Sequence, residues 1–140
     1  MTEDVANILP SELLDHFTTN VIGTLLITQA VSPLFHSGTK IVNISSMVGS
    51  FAATKSMPIP IVPSYSISKA ALNMATVKQA FLYSDQVVVA LDPGLIKTDM
   101  NPMGTNSAED VGAKLLKTVE NLKKEDSGSF VSWEGKPTAW

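Results

Sequence analysis

The sequence predicts an α/β protein built on a doubly wound parallel sheet, and three observations carry that prediction. Segments 40–45 and 87–91 are short, apolar and rich in β-branched residues, which is typical of buried strands. Segment 65–82 lies between them and has the small and apolar residues of a packed helix. Strands that alternate with helices along a chain form a parallel sheet with right-handed crossovers. We therefore expect one domain over residues 1–140, with about three strands and three main helices.

The composition indicates a surface that does not face water everywhere. Of the 140 residues, 44% are hydrophobic and 16% are charged, whereas about 25% charged residues is typical. A homodimer interface is the simplest explanation. The net charge of −3 and the lack of a basic run argue against a nucleic-acid partner.

The residue types present also limit the chemistry and the location. The chain has no cysteine, which excludes disulfides and thiol nucleophiles. His16 and His36 are isolated, so we expect both on helix surfaces and predict no metal site. No stretch reaches the roughly 18 apolar residues of a membrane span, and the acidic start is unlike a targeting signal. We therefore expect no membrane association and a cytoplasmic location.

The first helix is predicted over residues 10–34. Pro10 suits the first helical position, where its missing N–H would have no partner, and apolar residues follow at helical spacing. Pro33 should end or bend the helix. Asn20 lies in its interior, where the residue type alone predicts only an exposed side chain.

The second helix, over residues 65–82, follows a long loop. Residues 50–64 are apolar and contain three prolines, which exclude a helix or a central strand. A loop of this kind is interpreted as a pocket wall or lid, with a partner contact as the alternative. The helical residues expected to face inward are Ile67, Ala71, Met74, Ala75 and Val77.

The last part of the chain predicts one more helix and one more strand. Ser107, followed by acidic residues, is typical of a helix start. Segment 129–133 reads as a short third strand, and residues 134–137 as a turn.

The spacing of Tyr65 and Lys69 suggests proton-transfer chemistry. Residues four apart lie on one face of a helix, and an ammonium there favours the phenolate and lowers the pKa of the tyrosine. Tyr65 is thus a candidate general acid or base, although an ordinary amphipathic helix shows the same spacing. Ser46 and Pro93 both follow predicted strands, and ligands bind at that edge of a parallel sheet.

Four motifs together resemble the short-chain dehydrogenase/reductase family. Segment 41–49 is similar to the strand of its catalytic serine, with Ser46 at the serine. Segment 65–69 matches its Tyr-x-x-x-Lys motif, and Asn20 with the following Val-Ile-Gly matches its helical asparagine. Segment 92–100 matches its Pro-Gly motif.

The ending of the chain refines the resemblance. Residues 128–137, closing on Trp140, resemble the carbonyl-reductase-like branch, some of whose members act in secondary (polyketide) metabolism. The resemblance covers nearly the whole chain, but only the C-terminal half of the family's Rossmann-type three-layer fold. It implies a catalytic half without a separate dinucleotide-binding half.

The resemblance implies a role for each motif residue. Tyr65 would donate a proton to the oxygen of a small-molecule carbonyl substrate, and Ser46 would hydrogen-bond that oxygen. Lys69 would lower the pKa of Tyr65 and hold the nicotinamide ribose. Asn20 would position a water in a proton relay.

The same resemblance implies a nicotinamide cofactor, NADP or NAD, and no metal. The cofactor-binding residues would be Lys69, Pro93, Gly94, Ile96 and Thr98.

A Gly-rich turn that holds the pyrophosphate is missing from the sequence. No two of the eight glycines are two residues apart, so no G-x-G-x-x-G motif exists. Met1 falls just after the place where the family's preceding strand would end. We therefore expect weak or absent cofactor binding by this chain alone, and one open edge of the parallel sheet.

Two alternatives to an NAD(P)-dependent reductase stay open. The Tyr65, Ser46 and Lys69 side chains could polarise a carbonyl without hydride transfer, as in a cofactor-independent dehydratase, isomerase or cyclase. The chain could also be a non-catalytic, truncated partner that docks on a full-length reductase. Helices 10–34 and 65–82 are the expected contact surface, for that partner as for a homodimer.

Overall fold

The computed structural model describes residues 4–56, 62–99 and 101–140, and its sheet has four strands in sequence order. The strands are β1 (Lys40–Ile44), β2 (Val87–Asp92), β3 (Phe130–Ser132) and β4 (Pro137–Thr138). The first three run parallel, and β4 pairs antiparallel with β3. The α/β prediction is confirmed.

The strand β4 corrects the sequence prediction at one point. Residues 134–137 were expected to form a turn, but Pro137 begins β4 and pairs with Val131. A proline is compatible with that position because β4 is an edge strand, where a backbone N–H need not be donated to a neighbour.

Five α-helices surround the sheet in the described part of the chain. They are α1 (Pro10–Phe17), α2 (Thr24–Val31), α3 (Phe51–Thr54), α4 (Pro63–Leu82) and α5 (Ala108–Asn121). Short 3₁₀ turns cover Ser32–Leu34, Met47–Gly49 and Lys124–Asp126.

The predicted helix over residues 10–34 exists, but it is not a regular α-helix. A π-helical segment, Thr18–Gly23, separates α1 from α2. Such segments are rare and are frequently found at functional sites.

The predicted loop over residues 50–64 is partly wrong. It contains α3, whose first turn is capped by Ser50, and α4 begins at Pro63 rather than at 65. Residues 57–61 of the suggested pocket wall or lid lie outside the described residues.

The main apolar core lies between the sheet and α5. It contains Val87, Val89, Leu91, Leu122 and Val131. Strand β2 is buried along its whole length, as expected for a central strand of a parallel sheet. This buried strand therefore fixes the position of the residues that directly follow it.

The opposite face of the sheet packs against α4 through polar side chains, which the sequence analysis did not anticipate. Asn43 on β1 donates from Nδ2 to Thr76 Oγ1 at 2.8 Å and to Gln79 Oε1 at 2.7 Å. The side chains of Ile67 and Met74, expected to face inward, are 47% and 59% exposed. Polar side chains of α4 are buried here because the Asn43 amide needs hydrogen-bond partners.

Strand β1 forms an open edge of the described sheet, as predicted. It pairs with β2 on one side, and no described strand pairs with its other side. Ile44, its last residue, is 46% exposed.

The two histidines differ in their surroundings. His16 lies on α1 with its ring edge against the Tyr65 ring, with centroids 5.7 Å apart. His36 lies in the loop before β1, so its expected place on a helix is wrong.

Within residues 4–56, 62–99 and 101–140, His, Cys, Asp and Glu side chains form no group that could hold a metal ion. None of the helices in those ranges is long and apolar enough to cross a bilayer.

Candidate active site

The candidate site lies where β1 and β2 end and α4 begins. Ser46 follows β1 with extended backbone, and its Oγ accepts a hydrogen bond from the Val48 N–H at 3.4 Å. Tyr65 lies in the first turn of α4. The first residues of α4 therefore face the 3₁₀ turn that follows Ser46.

The phenol of Tyr65 is held in its protonated form. Burial raises its pKa, a hydrogen bond with the Ser46 side chain lowers it, and the charge of Asp92 raises it; the net pKa lies above 10.0. At neutral pH the phenol therefore carries its proton.

Lys69 does not act on that pKa as expected. Its Nζ lies 5.5 Å from the centroid of the Tyr65 ring and donates to the Ile44 carbonyl at 2.8 Å. The side chain is buried, and burial lowers its own pKa. Lys69 is not among the groups that shift the pKa of Tyr65, which burial raises, so the structure gives no support for the predicted lowering of that pKa.

Asn20 reaches the site through a residue that the sequence analysis did not select. Its Nδ2 donates to Ser68 Oγ at 2.9 Å, and that hydroxyl donates to the Tyr65 carbonyl at 2.7 Å. The side chain is thus half-buried and bonded, not simply exposed. Ser68 could have been found from its position, because it lies three residues after Tyr65 and one before Lys69.

Asp92 is a second group that was missed. It is 5% exposed, and its carboxylate accepts hydrogen bonds from the N–H groups of Met47, at 3.1 Å, and of Gly94. Burial raises its pKa. A carboxylate at the end of a buried strand, directly before Pro-Gly, was the signal in the sequence.

The predicted cofactor contacts after β2 lie on a loop with a fixed shape. Gly94 has φ +73°, and a Cβ there would lie 2.8 Å from the Trp133 indole nitrogen. The loop then closes on itself, since Asn101 Nδ2 donates to the Ile96 carbonyl at 3.1 Å and the Thr98 N–H donates to the Asn101 carbonyl at 3.2 Å.

The predicted site residues form two groups. Ser46, Tyr65 and Lys69 are neighbours, and Asn20 joins them through Ser68. The second group follows β2 and consists of Pro93, Gly94, Ile96 and Thr98. Within the described residues, no hydrogen bond joins it to the first group.

The residues fit one end of a nicotinamide dinucleotide. Lys69 is a buried cation whose acceptor, within the described residues, is a single backbone carbonyl. Its ammonium has three N–H donors, so it can also bind ribose hydroxyls beside the phenol. The sequence has no Gly-x-Gly turn for the pyrophosphate end.

An open cavity of about 390 Å³ lies next to the site, between the 3₁₀ turn, α3 and the start of α4. Its lining includes Gly49, Phe51 and Ile67, but neither Ser46 nor Tyr65. It adjoins the site without containing the reacting groups.

The fold is a Rossmann-type α/β arrangement, with a serine after one strand and the Tyr65–Lys69 helix beside it. The family model for short chain dehydrogenases matches residues 1–109. The chain belongs to the short-chain dehydrogenase family, which confirms the resemblance.

Three known proteins show how far the similarity extends. The C-signal protein of Myxococcus xanthus is 33% identical over 129 residues, which are 89% of this chain and 76% of that protein. The carbonyl reductase Sniffer of D. melanogaster is 27% identical with a TM-score of 0.90, and the NADPH-bound carbonyl reductase from chicken fatty liver is 35% identical with a TM-score of 0.87.

The match covers only part of most relatives. Both solved structures are matched over 100% of this chain but 62% of their own. Further curated relatives are covered over 54% to 60% of their length. The family relation supports NAD(P)-dependent reductase chemistry at the level of the family.

Proposed function

We propose that residues 1–140 form one domain that supplies the catalytic half of an NAD(P)-dependent carbonyl reductase. One observation carries the proposal: the Tyr65 phenol lies within reach of the Ser46 side chain, which acts on its pKa, and the Lys69 ammonium lies 5.5 Å from its ring centroid. These are a proton donor, a second hydrogen-bond donor and a cation, converging on one strand end.

In the proposed reaction the chain's own groups act on the carbonyl oxygen. Tyr65 donates its proton to the oxygen as negative charge develops there, and Ser46 donates a hydrogen bond to the same atom. Lys69 binds the nicotinamide ribose, and Asn20 supports a water relay that returns a proton to Tyr65. A bound nicotinamide would supply the hydride that reduces the carbonyl carbon to an alcohol.

The remaining contacts with the cofactor are assigned to the loop after β2. Pro93, Gly94, Ile96 and Thr98 would hold the nicotinamide end of the cofactor. The proposal includes NADP or NAD as cofactor, no metal, and a small carbonyl compound as substrate. A role in secondary metabolism and a cytoplasmic location stay predictions.

The test uses the full chain with NADPH and with NADH. We expect weak binding, detected by quenching of fluorescence and by calorimetry, and slow oxidation of NADPH at 340 nm with 4-nitrobenzaldehyde as probe. Tyr65→Phe should abolish the oxidation, whereas Tyr83→Phe should not, because Tyr83 packs against Phe35, outside the site. No binding of either cofactor at millimolar concentration would overturn the reductase proposal for this chain.

A second candidate function is acid–base catalysis without a cofactor. It is favoured because the proton donor and its hydrogen-bonding partner lie entirely within this chain, whereas the pyrophosphate-binding turn does not. A dehydratase, isomerase or cyclase acting on a carbonyl compound would show turnover in cofactor-free buffer, and Tyr65→Phe would abolish it. Unchanged turnover in Tyr65→Phe would exclude the role of Tyr65.

We also propose that helices 10–34 and 65–82, which correspond to α1, the π-helical segment, α2 and α4, form a protein interface. Exposed apolar residues lie along them, and they include Leu14, Ile22, Leu26, Ile27, Val31, Met74 and Phe81. A homodimer is the preferred assembly, and docking of a non-catalytic chain on a full-length reductase is the alternative.

Light scattering during size-exclusion chromatography tests the interface. Leu26→Glu should give a monomer, whereas Leu116→Glu on α5 should not change the mass, although the two side chains are 58% and 60% exposed. A monomeric parent chain would exclude the homodimer. Co-elution of that monomer with an added full-length reductase would then support the docking alternative.

A further inference from the structure

Asn73 is a buried amide that connects α4 to both ends of the segment around Ser46. It lies on the same helix as the site residues, eight positions after Tyr65 and four after Lys69, and its side chain is 4% exposed. Its Oδ1 accepts from Ser45 Oγ at 2.5 Å, and its Nδ2 donates to the Gly49 carbonyl at 3.1 Å.

These two bonds fix the chain on either side of Ser46. Ser45 directly precedes it, and Gly49 ends the 3₁₀ turn that Ser46 caps. Gly49 also lies against α4: a Cβ there would be 2.7 Å from the Lys69 carbonyl carbon and 2.9 Å from the Ala70 nitrogen. The turn and the helix are therefore in direct contact, and the Asn73 amide bonds the chain on both sides of Ser46.

We propose that Asn73 is a positioning residue that holds the Ser46 hydroxyl in register with the Tyr65 phenol. Both groups of the amide are used for this purpose, the oxygen before Ser46 and the nitrogen after it. The inference rests on the proposed function only where it assigns Ser46 and Tyr65 to the same carbonyl oxygen. The placement of the Ser46 hydroxyl by Asn73 does not depend on any substrate.

The test follows the ionisation of Tyr65, which needs neither substrate nor cofactor. The chain has two tyrosines, so in a Tyr83→Phe background the absorbance of phenolate reports Tyr65 alone. The groups that face this phenol, Ser46, Lys69, Asp92 and His16, stay unchanged in the test variants at Asn73. Ser46→Ala in the same background gives the full upward shift of the Tyr65 midpoint that loss of the hydrogen bond produces.

Asn73→Leu is the central variant, and Asn43→Leu is its matched control. Both asparagines are 4% exposed and lie between β1 and α4. Asn43 bonds Thr76 and Gln79 on α4, whereas Asn73 bonds Ser45 and Gly49 on either side of Ser46. We expect both variants to lower the thermal midpoint of unfolding. Only Asn73→Leu should shift the Tyr65 midpoint upward, by most of the shift seen for Ser46→Ala.

Each outcome decides the proposal. An unchanged Tyr65 midpoint in Asn73→Leu, or equal shifts in the two leucine variants, would show a merely structural amide and overturn it. If Asn73→Leu does not fold, Ser45→Ala removes one of the two bonds with less disturbance and should shift the midpoint in the same direction; no shift there overturns the proposal. Absence of carbonyl reduction would count against the proposed function and would leave this titration unaffected.

Discussion

Lys69 Nζ donates a hydrogen bond to the Ile44 carbonyl at 2.8 Å, at the last residue of the open edge strand. The cation thereby binds the strand end and not a carboxylate. A buried charge without an opposite charge lowers the free energy of unfolding and so destabilises the protein. The geometry of the site is therefore maintained at some expense of stability, which is common where function requires a buried ion.

We predict that Lys69→Met stabilises the protein at neutral pH and that this advantage shrinks in alkali. Burial lowers the pKa of Lys69 below 10.5, so between the lowered pKa and 10.5 the unfolded chain binds more protons than the native state. The stability of the parent protein, as far as Lys69 determines it, therefore rises with pH across that window.

Thermal melts of parent and Lys69→Met across that window provide the measurement, with Lys78→Met on the exposed face of α4 as the control for loss of a lysine. A difference between parent and Lys69→Met that stays constant with pH would contradict the prediction.

Asp92→Asn should stabilise the protein at neutral pH and lower the pKa of Tyr65. Burial raises the pKa of Asp92 above 3.8, so the native state binds more protons than the unfolded chain between 3.8 and the raised value. The carboxylate therefore costs stability above that window, and the advantage of the amide disappears as pH falls through it.

The same substitution removes the charge that raises the pKa of Tyr65. Phenolate absorbance in the Tyr83→Phe background should shift to lower pH, and Asp85→Asn, an exposed carboxylate before β2, is the control. A Tyr65 midpoint that does not fall would show that Asp92 does not act on the phenol.

Asn20→Ala should lower the free energy of unfolding by about 1 kcal/mol, because one hydrogen bond to the buried Ser68 hydroxyl is lost. Thr19→Ala, an exposed position in the same π-helical segment, should change it by less than about 0.5 kcal/mol. Urea denaturation measures both. Equal effects of the two substitutions would mean that the Asn20–Ser68 bond does not contribute to stability.

Substitution by alanine should lower the free energy of unfolding at Gly49 and raise it at Gly112. A Cβ at Gly49 would lie 2.7 to 2.9 Å from Lys69 and Ala70 atoms, most of them backbone, so Gly49→Ala should cost about 2 kcal/mol or more. Gly112 lies within α5 with nothing within 4 Å of an added Cβ, so Gly112→Ala should stabilise by about 0.5–1 kcal/mol.

Chemical denaturation of the two alanine variants provides the comparison. A stable Gly49→Ala protein would show that the turn after Ser46 does not pack directly on α4.

Local patterns in the chain were enough to predict most of the long elements and the family. Strands β1 and β2 follow from short β-branched runs, the cap of α5 from Ser107, and the family from four motifs, because each of these signals is local in the chain. The short strand β4 was missed, since two residues at an edge carry too little pattern.

The interactions among the site residues became visible only in the folded chain. It joined Asn20 to Tyr65 through Ser68, placed the carboxylate of Asp92 near the phenol, and showed that the pKa of Tyr65 is raised. Hydrogen bonds and pKa values depend on burial and on distances through space, and neither is encoded by the spacing of residues along the chain.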